Sequence, residues 1–189
     1  MNNKSVRFIV EVGVFSAMSL VLDFIAGLYS GGIWTAGGSL SIAMVPIFIM
    51  SFRWGLKGGI LTGLIVGSLQ ILFANSSYFV NPLQVILDYT LAFSLVGVSG
   101  IFAGKINKNE NVVYYLTMGM IVGGILRTIS HIISGVVYFG IYAPEGFNSL
   151  GWSIIYNSSY MLPSLLICII VVLQIQKKAP QLIASYSGD

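Results

Sequence analysis

Asp88, Arg127 and His131 stand inside long apolar stretches. An ionisable side chain there costs ~2.5–3.5 kcal/mol on insertion scales, so it faces a partner or a cavity rather than lipid. Their spacing is helical: Arg127 and His131 are i,i+4 neighbours on one face, as are Gln84 and Asp88. Counted from the nearest lysine at ~1.5 Å per helical residue, Asp88 lies about 26 Å up, Arg127 about 28 Å, Asn157 about 30 Å and His131 about 34 Å. Three separate helices thus bring polar groups to one layer. Aromatic residues crowd the same level: Trp34, Tyr78, Tyr89, Tyr138, Phe139, Trp152 and Tyr156. A carboxylate among electron-rich rings favours a cation, and the set suits a small, flat, nitrogen-rich ligand.

Plainer readings exist for each residue. Trp and Tyr also form belts at membrane interfaces. Asp88 and Arg127 could be a structural ion pair, His131 a satisfied core histidine, and Asn157 a bridge between helices. Asp23 reaches the polar layer too, whereas Glu11 lies shallow and can snorkel.

The elements that must hold this layer follow from charge and hydropathy. The chain has 189 residues, 56% hydrophobic and 8% charged, against about 25% charged in soluble domains; its mean hydropathy is +0.90. Eight of the nine Lys and Arg residues fall in four patches: Lys4 and Arg7, Arg53 and Lys57, Lys105 and Lys108, Lys177 and Lys178. Positive loops stay cytoplasmic, so the pattern predicts six transmembrane helices in one all-α bundle, with N and C termini cytoplasmic. Each crossing takes ~20 residues. The expected spans are 8–29, 39–52, 56–74, 82–104, 112–139 and 150–175, forming a single integral membrane domain over 1–189. Lys4 and Arg7 before an apolar stretch have a signal-peptide layout. Glu11 and Asp23 interrupt that stretch, and a retained first helix is expected.

Several classes are excluded or disfavoured. No G-x-x-x-x-G-K-[ST] loop occurs, so ATP is not hydrolysed by that device. No His/Cys cluster points to a metal, and no cofactor or catalytic residue is expected. The pI near 9.0 reflects patches that suit an anionic lipid surface, not nucleic acid. Gly97-Val98-Ser99-Gly100 matches the G-x-S-G of intramembrane serine proteases. By depth, however, Ser99 is about 9 Å up, far below His131, and helix packing explains the motif better. An ion-coupled secondary transporter using Asp23, Asp88 and His131 as a relay remains an alternative.

Four blocks carry a family resemblance. They are Gly37-Gly38-Ser39-Leu40-Ser41-Ile42 with Met44-Val45-Pro46-Ile47; Asn81 through Tyr89 with Leu91-Ala92-Phe93; Arg127 through His131 with Ser134-Gly135; and Trp152 through Asn157 with Tyr160 through Pro163. Together they resemble the thiamine-specific substrate-binding (S) component of bacterial energy-coupling-factor transporters, the ThiT or YuaJ family, over nearly the whole chain. The resemblance implies a multi-pass protein of the bacterial cell membrane with an outward-facing thiamine site closed by the first outer loop. Asp88 would meet the aminopyrimidine and the cationic character of the ligand. Trp34, Tyr78, Tyr89, Phe139 and Trp152 would enclose its rings, and Arg127, His131 and Asn157 would supply hydrogen bonds. The sequence departs from some relatives at Asp88 (glutamate there), Phe139 (tryptophan) and Trp152 (tyrosine).

The resemblance also implies partners: a transmembrane coupling protein and two cytoplasmic ATPases. Gly13 and Ala17 have the small-x-x-x-small spacing of the docking face on the first helix, a spacing equally suited to packing inside the bundle. An S component for another vitamin is the nearest alternative within the class.

Overall fold

The computed structural model describes residues 3–30, 32–34, 37–74, 79–106 and 111–184. Among these residues all regular structure is helical, and five helices are long and apolar enough to cross a membrane. They are α1 (Asn3–Ser30), α2 (Met44–Phe73), α3 (Pro82–Ile106), α4 (Val112–Tyr138) and α5 (Ser149–Lys178).

Helix α2 is one element by hydrogen bonding but reverses direction at Gly55, whose φ of 70° and ψ of −165° lie outside the helical region. Contacts prove the reversal. Ser41 and Gln70 both donate to the Asp23 carboxylate, although a straight helix over that interval would separate them by ~40 Å. A Cβ on Gly58 would stand 2.9 Å from the Met50 carbonyl oxygen, eight residues back. Every residue from Ala43 to Arg53 is buried, so the first half of α2 is the centre of the bundle.

The second half of α2 packs against α3 through glycines at every fourth position: Gly55, Gly59, Gly63 and Gly67. Added Cβ atoms would come to 2.8 Å from Gly97 Cα at Gly59, 2.9 Å from Ser94 Cα at Gly63 and 2.7 Å from Thr90 Cα at Gly67. Small residues in a row let antiparallel backbones touch where no hydrophobic force between helices is available. Ser99 lies in this seam, fully buried with no hydrogen-bond partner for its hydroxyl. Among the described residues no base reaches it within hydrogen-bond distance.

The reversal brings the beginning of α1 and the segment after α5 together. Glu11 near the start of α1 accepts from Arg53 Nε at 2.6 Å and from Trp54 Nε1 at 2.6 Å. Arg53 Nη1 in turn donates to the Gln181 and Ala184 carbonyls at 2.9 and 3.1 Å. The beginning of α1, the Gly55 turn and the segment after α5 therefore share one end of the molecule.

The second expected span begins late. Residues 39–43 are not helical, and α2 starts at Met44. Gly37 and Gly38 have φ of 98° and 116°, and Ser41 Oγ accepts from the Ala43 N–H at 3.1 Å. A serine that bonds its own local backbone competes with the helix. The apolar run continues through this stretch, but the helix does not.

Candidate functional site

Asp88 is placed by an irregular part of α3. Pro82 opens the helix, with Asn81 Oδ1 accepting from the Leu83 N–H at 2.8 Å; Pro there sacrifices no hydrogen bond. Ile86–Leu91 then forms a π-helical turn, a widened geometry found often at functional sites. Gly67 presses on the outer side of this turn, against Tyr89 and Thr90. Ser130 Oγ of α4 donates to the Leu87 carbonyl at 2.7 Å.

The carboxylate is held by three groups. Gln84 Nε2 donates to Oδ2 at 2.7 Å, Ser134 Oγ donates to Oδ2 at 2.8 Å, and His131 Nδ1 lies 3.2 Å from Oδ1. Arg127 Nε lies 3.5 Å from His131 Nε2. A guanidinium only donates, so in this contact Nε2 of His131 is the acceptor, and Nδ1 is left to face Asp88. The direct Asp88–Arg127 ion pair left open by the sequence is not formed; His131 stands between the two. Arg127 instead lies over the Phe93 ring, 3.8 Å from its centroid.

Gln84, Asp88, Phe93, Arg127 and His131 line a cavity of about 1020 Å³, at the upper end of the ~300–1,000 Å³ usual for small-molecule sites. Trp34, Asp88, Tyr89, Arg127, His131, Phe139, Trp152 and Asn157 all contribute to its wall. Tyr78 lies outside the described residues. Asn157 lines the wall with its amide engaged: Nδ2 donates to the Ser153 carbonyl at 2.9 Å, and Oδ1 accepts from Tyr160 at 2.7 Å. Asp23 also reaches the cavity.

One wall is a ladder of rings. Trp152, Tyr156 and Tyr160 follow one another at i,i+4 along α5, with centroids 5.8 and 6.2 Å apart. Tyr160 then meets His131 at 6.2 Å and Trp34 at 5.9 Å. Tyr160 was not among the site residues expected from sequence, yet it joins the loop, the ladder and the polar cluster. Its four-residue spacing from Tyr156 was the available signal.

The segment between α1 and α2 closes over this wall. Trp34 Nε1 donates to Ser159 Oγ at 2.8 Å, Tyr156 donates to the Gly37 carbonyl at 2.8 Å, and the Ser41 N–H donates to Ser164 Oγ at 3.0 Å. Each bond runs from the loop to α5. Gly38 fits flat against Tyr160, whose Cε1 would be 2.7 Å from an added Cβ.

Gly13 and Ala17 lie on α1 on the Asn3 side of Asp23, Ala17 at the margin of the same cavity. Both are exposed, and nothing lies within 4 Å of a Cβ placed on Gly13. Packing inside the bundle therefore does not explain this glycine.

Comparison with known proteins agrees with this architecture. Residues 9–184 match the family model described as thiamine transporter protein (YuaJ). The chain is 37% identical over 189 residues to the thiamine transporter ThiT of Bacillus subtilis, covering 97% of each. It is 31% identical over 194 residues to the thiamine transporter ThiT of Lacticaseibacillus paracasei, covering 98% of this chain and 94% of that one. The solved structure of ThiT from Listeria monocytogenes superposes with a TM-score of 0.84 at 29% identity, over 96% of this chain and 99% of that chain.

Proposed function

This chain belongs to the thiamine transporter family, and from that premise we propose that it is the high-affinity thiamine-binding S component of an ATP-driven energy-coupling-factor transporter. It is a multi-pass membrane protein and a carrier rather than an enzyme. The observation that carries the substrate reading is Asp88: a carboxylate gripped by Gln84, Ser134 and His131 in a cavity walled by aromatic rings. Thiamine brings a permanent thiazolium cation and an aminopyrimidine with donor groups. Asp88 takes the donors and the charge. Trp34, Tyr89, Phe139 and Trp152 enclose the rings, where a desolvated cation–π contact contributes ~2 kcal/mol. Arg127, His131 and Asn157 supply the remaining polar contacts or hold neighbours that do.

Topology follows the charge pattern. Five long helices would leave the chain ends on opposite sides, but the Gly55 reversal splits α2 into two antiparallel legs. That supports six crossings in a single domain over 1–189, with the shared end of Glu11, Arg53 and Gln181 facing the cytoplasm by the positive-inside rule. The cavity then opens outward under the Trp34 loop. Closure of the loop removes water and strengthens the Asp88 interaction.

Energy comes from partners: a transmembrane coupling protein and two cytoplasmic ATPases. The open face of Gly13 and Ala17 on α1 is the contact for the coupling protein. Titration of the purified full chain with thiamine and a panel of vitamins, followed by tryptophan fluorescence, tests the substrate; saturable quenching by thiamine alone is the expected result. Reconstituted without partners, the protein should bind thiamine but not accumulate it on an imposed ion gradient. Gradient-driven accumulation would return the ion-coupled alternative.

A further inference from the structure

Two carboxylates line the cavity among the described residues, and the thiamine reading uses only Asp88. Asp23 stands in an apolar span, where an acid is unfavourable unless it is partnered. Its partners are specific. Oδ1 accepts from the Ser41 hydroxyl at 3.0 Å, and Oδ2 accepts from the Gln70 side-chain amide. Both donors are buried. Ser41 belongs to the non-helical stretch before α2, and Gln70 to the second leg of that helix.

Ser41 is bonded in three further ways. Its N–H donates to Ser164 Oγ at 3.0 Å, its carbonyl accepts from Cys168 Sγ at 3.8 Å, and its Oγ accepts from the Ala43 N–H at 3.1 Å. Ser164 and Cys168 lie on α5, so of the side chains bonded to Ser41 only Asp23 comes from α1. Just before it in the chain, Gly37 is held by Tyr156 and Gly38 lies flat on Tyr160. Whatever fixes Ser41 therefore fixes the base of the segment that carries Trp34.

We propose that Asp23 is a positioning residue for ligand retention: acting through Ser41, it pins the base of the closing segment between α1 and α5 and so sets how slowly a bound ligand leaves. The proposal rests on the thiamine reading above and deepens it. Asp23 works by accepting hydrogen bonds, one donor on each oxygen, and not by presenting charge to the ligand. Without it the buried Ser41 hydroxyl has lost its acceptor, and an unpaired buried donor favours the open, hydrated segment.

The test measures thiamine dissociation and association on the purified full chain. Asp23→Ala should speed dissociation about tenfold and change association far less. Asp23→Asn should stay within about threefold of the wild type, because the Gln70 amide can turn over and both hydrogen bonds survive. Ser41→Ala should match Asp23→Ala and carries the same reading if that variant does not fold. The double variant should be no faster than either, since both delete one contact. Cys168, the only cysteine of the chain, is fully buried and bonded to Ser41, so its modification by a small thiol reagent reads the same event without ligand. It should react faster in Asp23→Ala and at nearly the wild-type rate in Asp23→Asn. A wild-type dissociation rate in Asp23→Ala, additive acceleration in the double variant, or equal acceleration by Asn and Ala overturns the proposal and leaves thiamine binding in place. Absence of thiamine binding by the wild type removes the substrate reading, while the labelling comparison still decides whether Asp23 holds Ser41.

Discussion

Trp34 donates its indole N–H to Ser159 at 2.8 Å while its ring meets Tyr160 edge-on at 5.9 Å. One residue of the loop is thereby fixed to α5 by a polar contact and an aromatic contact at once. Trp34→Phe keeps the ring and deletes the hydrogen bond. A neutral hydrogen bond contributes ~0.5–1.5 kcal/mol, so thiamine should dissociate roughly two- to tenfold faster with little change in association. Stopped-flow fluorescence from the remaining tryptophans reads both rates; a slower association with unchanged dissociation would contradict the closing role.

Asp88→Asn keeps size and removes charge. Hydrogen bonds to charged groups contribute ~1.5–3 kcal/mol, so affinity for thiamine should fall roughly ten- to hundredfold. The ligand-free protein should be no less stable, since a carboxylate is no longer kept from water. Calorimetric titration and thermal unfolding separate the two effects. A large drop in melting temperature with parallel loss of binding would assign Asp88 to the fold.

Gly55 occupies φ 70°, ψ −165°, and no atom lies within 4 Å of an added Cβ. Any penalty for Gly55→Ala is therefore backbone strain alone, of order 1–3 kcal/mol for a conformation essentially confined to glycine. Gly13→Ala, also in open space but at a helical residue, should be neutral or slightly stabilising. Thermal unfolding of the two variants in detergent checks the contrast. Equal midpoints would mean that the turn tolerates a side chain.

Gly13→Trp addresses docking. The side chain projects from the exposed face of α1, far from the carboxylate cluster. Thiamine affinity of the isolated protein should be unchanged, and uptake in cells that supply the coupling protein and ATPases should fall severalfold. Uptake at the wild-type rate would place the contact on another face.

The polar layer was readable because membrane helices make it so. A charge in an apolar run is costly, and i,i+4 spacing places Gln84 with Asp88 and Arg127 with His131. The height count was too coarse to order the contacts: it set His131 about 8 Å above Asp88, and the two side chains touch. That Arg127 turns to His131 and the Phe93 ring rather than to Asp88 was not legible, because a height count places all of them in one layer. The boundary at Gly55 was visible between the expected spans, but the depth of contact along Gly59, Gly63 and Gly67 was not. Nothing in residues 39–43 separates them in hydropathy from α2; the local bond from Ser41 ends the helix there. Tyr160 went unassigned because its partners, Trp34 and His131, lie on distant segments.

The π-helical turn at Ile86–Leu91 gives α3 one residue more than an ordinary helix would spend on the same rise. Deleting a single residue within it lets the backbone relax to regular winding over the same rise, so Pro82 and Gln84 before the turn keep their facing while the residues of the turn itself take new angles. Asp88, inside the turn, would then be re-aimed relative to Gln84, although no contact residue had been replaced. The chamber depends on angular phase as much as on composition, and a frame-preserving deletion can abolish it with every binding group still present.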